Sequence, residues 1–487
     1  MASKKATTEG SIQDGHDIYP VHILDAPRMN HVFVSWIMNF NDVLDVEKLY
    51  SSLSALLEQG DWRKLGGRLR AAKSGGLELH VPKQFTADRP AVAFTKDDFS
   101  TMNLREHELA RQFPQPQLHP YTKVIYDEAD FRFFAAPKNF PSTIKEMLAR
   151  DTPQIALHTT SFNDATLVSL TWPHTLMDGM AYAALLQNWS LMLAGKADKI
   201  SPVMGAREDA LSMLGTMSDP GGTLEIEPRH AGPLRFFIFF CFFLWHRLFY
   251  PPKQIRVLFL PRQAVNSLTE AAKKEAGDIF ISEGDILTAW MCKAIASAER
   301  RSHPVTIIGL MNARDRLPCL EKTAGVHLQN LTAMAGIYLT PEQSRASVGS
   351  IAMEHRQQLA KQTTEEQVTL FFRSAWQRAA AKKSLRTAFI GETDTRAILT
   401  NNLTKAAYIQ KTDFSAAVVR QGQDSSTARQ NPPGQMVNYL HLIERGPVKA
   451  VNNFYIVGKD HADNYWLMAT LSDQAWLKID EAMRELE

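Results

Sequence analysis

The sequence predicts an α/β protein made of two similar-sized halves, each built from mixed strands and helices, with a cleft between them. Two observations lead to this prediction. Apolar β-type runs and amphipathic helical stretches follow one another through the 487 residues without repeats, and 45% of the residues are hydrophobic, which suffices for a large core. A stretch of Pro, Gly and acidic residues followed by an aromatic run interrupts this succession near the middle. Clefts between such halves are the usual place for small-molecule sites.

The predicted organisation has four parts. Residues 1–18 form a disordered lead-in, which lacks the apolar core of a signal peptide. Residues 19–200 form the first half, 201–254 a crossover, and 255–487 the second half. Length alone would suggest about three domains, at roughly 150 residues each. The order of the predicted elements favours two.

In the first half, residues 32–40 alternate as a half-buried strand does. Asp45 begins a helix with leucines on one face, and Gly60 ends it. A short β-rich run at 166–172 precedes a second helix, which Gly195 closes. The second half is predicted to contain a strand at 254–260, a helix at about 264–276, a helix that begins at Ser282 with Asp285 completing a capping box, a strand from 305, two helical stretches across 341–385, and late strands at 452–458 and 465–471.

Charge and cysteine content exclude several classes of protein. The chain has 54 Lys and Arg against 52 Asp and Glu, a net charge of +2, so it lacks the basic excess typical of nucleic-acid binding. Its three cysteines, Cys241, Cys292 and Cys319, are scattered and form no C-x-x-C pair. A reducing, cytoplasmic location is expected.

The aromatic run Phe236–Trp245 lies in the crossover. Its ten residues would cover about 15 Å as a helix, against roughly 30 Å of bilayer hydrocarbon, so the run cannot span a membrane. Two interpretations stay open. It is a buried connecting segment, or it is an aromatic surface in peripheral contact with a membrane or around an apolar substrate. Arg235, His246 and Arg247 flank it as interfacial anchors would.

The segment WPHTLMDGM places His174, Asp178 and Gly179 between a strand and a helix. Loops at the ends of rigid elements commonly present catalytic groups, and a neutral imidazole accepts a proton near physiological pH. The alternative is a structural role, with His174 as a satisfied polar residue at a turn and Asp178 as the N-cap of the helix.

This arrangement resembles the BAHD-type acyltransferases, which move an acyl group from coenzyme A to an alcohol or amine. The resemblance covers roughly residues 20–485 and is greatest to the fungal branch that acetylates secondary metabolites, the trichothecene acetyltransferase type. Other stretches that carry it are 45–70 with Gly67, Arg68 and Leu69, 281–298 with Ser282, Asp285 and Lys293, 311–318 with Asn312 and Arg314, 328–330 with Asn330, and the closing strand at 465–471.

The resemblance implies a two-domain coenzyme A-dependent acyltransferase fold with a cleft or tunnel between the domains. It implies acetyl-CoA as co-substrate, no tightly bound cofactor, no metal, a hydrophobic alcohol as acceptor, and a monomer. His174 would take the hydroxyl proton as general base and return it to the departing sulfur. Asp178 would turn away from the site and pair with Arg314. Ser282 and Lys293 match positions near the coenzyme.

This chain departs from the family's pattern in the family's second signature. Where the family has Asp-Phe-Gly-Trp-Gly, this chain has TDFSAAVV at 412–419. Asp413 is retained and is counted with His174 among the predicted catalytic residues, although the family's segment is chiefly structural. By the resemblance, the tryptophan of this segment helps to stabilise the oxyanion. Because Ala416 replaces it, a backbone N–H or the hydroxyl of Thr412 or Ser415 becomes the candidate donor.

Residues 373–386 contain Arg373, Arg378, Lys382, Lys383 and Arg386 without an acidic residue. This stretch is either a solvated helix face or a contact for phosphate or anionic lipid.

Two other functions stay open: a condensation-domain-like transferase that uses a carrier-bound acyl donor, and an inactive binding or scaffold protein. Nucleotide-binding glycine loops, the G-x-S-x-G elbow and the H-E-x-x-H motif do not occur in the sequence. His174 and Asp178 offer two metal ligands without an evident third.

Overall fold

The computed structural model describes residues 15–73, 75–125, 131–217, 221–226, 233–249, 254–320, 325–381, 394–422, 429–444 and 452–486. The strands are β1 His16–Pro20, β2 Phe33–Phe40, β3 Asp42–Leu44, β4 Arg68–Ala71, β5 Leu77–Pro82, β6 Ala93–Phe99, β7 Tyr121–Ile125, β8 Ala156–Phe162, β9 Thr166–Pro173, β10 Val203–Met204, β11 Gln254–Leu260, β12 Val305–Asn312, β13 Val326–His327, β14 Thr332–Leu339, β15 Arg396–Asn402, β16 Val418–Gln421, β17 Asn438–Glu444, β18 Asn452–Lys459 and β19 Tyr465–Leu471. The α-helices are α1 Val46–Leu56, α2 Ile144–Leu148, α3 Gly179–Leu193, α4 Ser212–Thr216, α5 Pro233–Phe249, α6 Arg262–Ala276, α7 Glu283–Ala296, α8 Val348–Gln362, α9 Glu365–Ala380, α10 Tyr408–Lys411 and α11 Asp473–Arg484.

Two large mixed sheets organise the molecule. The first has five strands in the order β17-β2-β9-β8-β6, and the second has seven in the order β14-β12-β15-β18-β19-β11-β7. In the second sheet β12, β15 and β18 run parallel, so their carboxyl ends meet at one edge. Helices α1 and α3 pack with the first sheet, and α6, α7, α8 and α11 with the second. The predicted fold class is confirmed.

The two halves exchange strands. β7, from the first half of the chain, pairs with β11 in the second sheet, whereas β17, from the second half, pairs with β2 in the first. The short strand β16 likewise pairs with β3. The predicted boundaries at 200 and 255 therefore do not separate the two sheets, because each sheet includes a strand from the other part of the chain.

Several local predictions agree with the structure. The Asp45 carboxylate accepts from Lys48 N at 3.0 Å and caps α1, and Ser282 with Asp285 forms the predicted capping box of α7. The strand at 32–40 differs, since all eight residues of β2 are buried. β2 is an interior strand between β17 and β9, and both faces of the sheet are covered there. The alternating side chains of this strand therefore all lie in the core, and none of them faces solvent.

The aromatic run forms most of α5, and it is not a buried connector. All nine side chains of α5 that the structure describes are exposed, among them Phe237 at 63% and Trp245 at 62%. Of the two interpretations left open by the sequence, the buried segment is therefore wrong for these side chains. In the part of the chain that the structure covers, no helix has the length and apolarity needed to cross a membrane.

Candidate active site

His174 follows directly after β9, and its backbone is held from both halves. His174 N donates to Val32 O at 2.8 Å, which extends the pairing of β9 with β2. Asn330, in the loop before β14, donates from Nδ2 to His174 O at 2.9 Å. Asn330 also donates to the buried carboxylate of Asp25 at 2.8 Å. The catalytic candidate thus lies where the two halves meet.

The imidazole of His174 is half-buried, and its Nδ1 has no hydrogen-bond partner among the residues that the structure describes. Burial lowers the pKa of His174 below 6.5, and the negative charge of Asp178 opposes only part of that shift. The ring is therefore neutral at physiological pH. A neutral imidazole at the end of a rigid strand can accept a proton from a hydroxyl.

Asp178 forms the predicted pair with Arg314. Nη1 and Nη2 of Arg314 each donate to one carboxylate oxygen at 2.9 Å, a bidentate geometry. Asp178 also accepts from Ala181 N at 3.0 Å and from Leu331 N at 2.9 Å. The two interpretations of Asp178, as helix N-cap and as partner of Arg314, are both correct.

Burial alone would raise the pKa of Asp178, but Arg314 and the backbone donors hold it below its usual value. The carboxylate stays ionised and its lone pairs are occupied by these donors. Arg314 extends the network further, because Nη2 also donates to His327 O at 3.0 Å and to Gln329 O at 2.9 Å. The pair fixes the loop that carries His174 to the second half of the molecule.

Gly179 permits a close contact at the start of α3. The hydroxyl of Tyr408 donates to Gly179 O at 2.8 Å, and a Cβ on residue 179 would lie 2.7 Å from the same hydroxyl oxygen. Only glycine allows this approach without a shift of Tyr408. The Asp-Gly pair therefore combines a helix cap with a small first residue.

An aromatic cluster lies beside His174 on the first sheet. Trp36 on β2 is at its centre, and its ring lies 4.3 Å from Tyr408, 4.9 Å from Tyr439 and 5.1 Å from His441, between ring centroids. Tyr439 and His441 belong to β17, where His441 is in register with Trp36. The exchanged strand thus brings residues of the second half to the histidine of the first.

His441 is a functional candidate that the sequence did not indicate. Burial and the nearby His174 lower the pKa of His441 to about 3, so this second imidazole is neutral throughout the physiological range. A lone histidine in NYLHLIE gives no local signal. His441 reaches the cluster around Trp36 through the pairing of β17 with β2, which joins residues about 400 positions apart in the sequence.

The structure places the second signature away from His174. Asp413 N donates to Ser190 Oγ at 3.0 Å, near the carboxyl end of α3. Ser190 is eleven residues along this helix from Gly179, which is about 16 Å at 1.5 Å per residue. The Asp413 side chain is exposed and accepts from Ser415 N at 3.0 Å, within its own turn.

These positions correct the predicted roles in this segment. Within the described residues the hydrogen bonds of Asp413 go to Ser190 and Ser415 and not to the histidine loop, so the structure does not support a catalytic role for Asp413. Thr412 is buried, with its hydroxyl donating to Tyr408 O at 2.8 Å, while Ser415 is exposed at the same end of α3 as Asp413. Neither hydroxyl is presented to His174. Phe414 has a structural role, with its ring 4.6 Å from Trp189 and 5.3 Å from Phe40.

Ser282 and Lys293 lie at opposite ends of α7. The Ser282 hydroxyl donates to Asp285 at 2.6 Å and accepts from Arg356 at 2.8 Å, so it belongs to the capping network of the helix. The helix begins beside the carboxyl end of β15, where a Cβ on Gly284 would lie 2.5 Å from Asn402 Nδ2. Lys293 is half-buried near the other end.

The predicted basic stretch is only partly described. Arg373 and Arg378 lie in α9, which contacts the crossover through Trp376, whose Nε1 donates to Asp209 at 3.3 Å. Lys382, Lys383 and Arg386 lie outside the described residues. Among the described residues, no three His, Cys, Asp or Glu side chains are grouped so as to hold a metal ion.

A cleft of about 350 Å³ opens between the two halves. Asn41 and residues 115–118 line it from the first half, and residues 261–263, 429–431 and 460–462 from the second. Asn41 directly follows β2, whereas His174 lies at the start of that strand, so roughly 26 Å of strand separates the two places. The volume is within the range of small-molecule sites, roughly 300–1,000 Å³.

No model of a known protein family matches the chain. The chain is 31% identical to the O-acetyltransferase PaAT-2 of Phomopsis amygdali, over 96% of this chain and 98% of that protein. It is 30% identical to the acetyltransferase BOT5 of Botryotinia fuckeliana, over 99% of this chain and 93% of that protein.

Among solved structures, the chain is similar to TRI101 of F. sporotrichioides complexed with coenzyme A and T-2, with a TM-score of 0.66, 13% identity, and coverage of 95% of this chain and 97% of that one. It is also similar to vinorine synthase, with a TM-score of 0.56, 11% identity, and coverage of 99% and 95%. These structural matches establish the fold over nearly the whole chain. Together with the sequence relatives, they show that the chain belongs to the family of fungal secondary-metabolite acetyltransferases, with the fold of the BAHD-type acyltransferases.

Proposed function

We propose that this protein transfers an acetyl group from acetyl-CoA to a hydroxyl of a hydrophobic secondary metabolite, with His174 as general base. The observation that carries the proposal is a neutral, half-buried imidazole on a loop of the first half that Asn330 and the Asp178–Arg314 pair fix to the second half. Relatives named as acetyltransferases, one of them as an O-acetyltransferase, support acetyl as the transferred group and oxygen as its acceptor.

The reaction needs a base because an alcohol has a pKa far above 7. The hydroxyl oxygen attacks the thioester carbonyl while His174 takes its proton. The tetrahedral intermediate then collapses, the carbon–sulfur bond breaks, and His174 returns the proton to the coenzyme sulfur. Asp178 transfers no proton, because its carboxylate is held ionised by Arg314 and the backbone donors. Its role is to hold the loop, so that the imidazole stays in reacting geometry.

The hydrophobic character of the acceptor is proposed from the family resemblance. Trp36, Tyr408 and Tyr439 are buried in the core of the first sheet, and they hold His441, a neutral polar group, near His174. Ser282 remains a proposed contact for the coenzyme, since α7 begins at the edge where the parallel strands β15 and β18 end. Lys293 has no comparable support.

The test is a thiol-release assay with purified protein, acetyl-CoA and a panel of terpenoid, alkaloid and polyketide alcohols. We expect release of free coenzyme A that depends on one class of alcohol, with a product heavier by one acetyl group. Longer acyl-CoA donors test the acyl chain length. Turnover only with a carrier-protein-bound acyl group would refute the free coenzyme donor.

Direct transfer also excludes an acyl-enzyme. A pre-steady-state burst of acetylated protein, or ping-pong kinetics, would contradict the mechanism. Both substrates must be bound together before the first product leaves, so initial-rate patterns should be sequential.

A further inference from the structure

The aromatic helix α5, Pro233–Phe249, presents a continuous apolar face to solvent. Every one of its side chains that the structure describes is exposed, and Leu248 reaches 75% exposure. The large hydrophobic residues among them are Leu234, Phe237, Ile238, Phe240, Leu244, Trp245, Leu248 and Phe249. Contiguous exposed apolar surface of this kind marks an interaction site on a soluble protein.

The positions of these residues define one side of the helix. Eight of the nine described side chains, at 234, 237, 238, 241, 244, 245, 248 and 249, recur at intervals of three and four, which places them on one face, and Phe240 lies at the edge of that face. The seventeen residues of α5 extend about 26 Å, at 1.5 Å per residue. The helix is therefore too short to cross a bilayer and long enough to lie along its surface.

Charge indicates what this face binds. Residues 228–253 contain Arg229, Arg235, Arg247 and Lys253 and no Asp or Glu, although acidic and basic residues are nearly balanced in the whole chain. A basic, aromatic helix with an exposed apolar face fits the headgroup region of an anionic bilayer, where the cations meet lipid phosphates and the rings enter the acyl boundary. A protein partner of matching apolarity would not require this excess of positive charge.

We propose that α5 is a membrane-docking helix, which lies flat in the surface of an anionic lipid bilayer. Docking would hold the protein at a membrane without a spanning segment. Where the proposed hydrophobic acceptor also partitions into the bilayer, docking would bring the enzyme to its substrate. This last consequence rests on the proposed function, whereas the docking itself does not.

The test is flotation of the full-length protein with two kinds of vesicle. One is phosphatidylcholine alone, and the other contains about 30 mol% phosphatidylserine, which gives the vesicle a negative surface potential. The wild type should float with the anionic vesicles and much less with the neutral ones. High salt should weaken binding, because the Debye length falls to about 3 Å at 1 M. The double variant Phe237→Glu/Trp245→Glu should lose at least tenfold in partition coefficient.

A matched control is the double variant Val419→Glu/Leu477→Glu, since these side chains are 69% and 63% exposed but lie on β16 and α11. It should float like the wild type. Thermal unfolding and the rate of coenzyme A release with a water-soluble alcohol should be unchanged in both variants. This activity readout separates failure of docking from failure of the proposed reaction.

Three results would overturn the proposal: no flotation of the wild type, equal flotation on neutral and anionic vesicles, or equal loss of binding in the control variant. A fourth concerns a different occupant of the same face. If the wild type is a dimer in solution by light scattering, and Phe237→Glu/Trp245→Glu makes it a monomer, the face is a contact between two copies of the chain.

Discussion

The two ends of helix α3 both join the halves of the molecule, but they do so with different chemistry. At the amino end, Asp178 and Arg314 make a buried bidentate ion pair beside His174. At the carboxyl end, about 16 Å away by helix length, the ring of Phe414 packs against Trp189. In the described part of the chain, Asp413 bonds through its backbone N to Ser190 and through its carboxylate to Ser415 N in its own turn.

The amino end of α3 therefore positions the reacting group, and the carboxyl end contributes to the packing of the two halves. The amino end concentrates ionised and hydrogen-bonding groups around one imidazole, whereas the carboxyl end is an apolar contact covered by a small exposed turn. Loss of the Gly-Trp-Gly part of the second signature, as Ser415, Ala416 and Ala417, therefore changes a place that does not contact the histidine. The altered motif is no sign of an inactive protein.

The largest effect is expected from His174→Ala. Removal of the base should lower kcat by about 10²–10⁴-fold, the usual contribution of general base catalysis. Thermal unfolding should change little, because Nδ1 of this ring has no partner among the described residues. Steady-state kinetics with purified protein check the result, and activity within tenfold of the wild type would argue against His174 as the base.

Asp178→Ala should lower the stability of the protein, because it removes the ion pair that holds the loop of His174. The change leaves Arg314 partly buried without its carboxylate, which typically costs about 3–5 kcal/mol of unfolding free energy. Chemical denaturation measures this loss. As a control, Glu47→Ala removes an exposed ion pair with Lys96 and should have little effect on stability. Equal effects of the two substitutions would mean that the Asp178–Arg314 pair does not hold the halves together.

The pH dependence of kcat/KM should follow the depressed pKa of His174. Because the neutral imidazole is the active form, the rate should be constant at higher pH and fall about tenfold per pH unit below that pKa. The fall should begin below 6.5, since burial lowers the pKa of His174. His441 is neutral above about pH 3 and does not contribute to this fall. A midpoint above 6.5 would contradict the buried environment of His174.

Gly179→Ala tests the close contact at the amino end of α3. The new Cβ would meet the Tyr408 hydroxyl, 2.7 Å away, and overpacking of this kind costs about 1–3 kcal/mol. Tyr408→Phe removes the hydroxyl, so the double variant should lose less stability than the sum of the single changes. Strict additivity of the two losses in a denaturation series would rule out the clash.

The smallest effect is expected from Asp413→Ala at the carboxyl end. It removes one hydrogen bond within an exposed turn, which is worth about 0.5–1.5 kcal/mol. Activity should stay within twofold of the wild type in the same kinetic assay. A loss comparable to that of His174→Ala would restore Asp413 to the catalytic residues and remove the contrast between the two helix ends.

Local features of this fold were predictable from the sequence. The caps at Asp45 and Ser282, the strand before His174 and the helix after it follow from short-range chemistry, and they agree with the structure. The Asp178–Arg314 pair came from family resemblance, since a contact across 136 positions leaves no local pattern.

What the sequence did not indicate depends on long-range pairing. β7 and β17 are short strands that join the sheet of the other half, and nothing in their own residues selects a partner. His441 was missed for this reason, because its place beside Trp36 exists only after β17 pairs with β2. The exposure of α5 was also undetermined, since an all-apolar helix suits a core as well as a surface contact.

The exchange of β7 and β17 has a consequence for how the protein folds and opens. Neither half can complete its sheet without a segment of the other, so a fragment that ends in the crossover lacks β17, and its partner fragment lacks β7. We therefore expect a single cooperative unfolding transition for the whole chain, with slow refolding because the pairings are distant in sequence. The same interlocking opposes a hinge motion that would part the halves. We therefore expect substrate binding to leave the relative position of the two sheets unchanged.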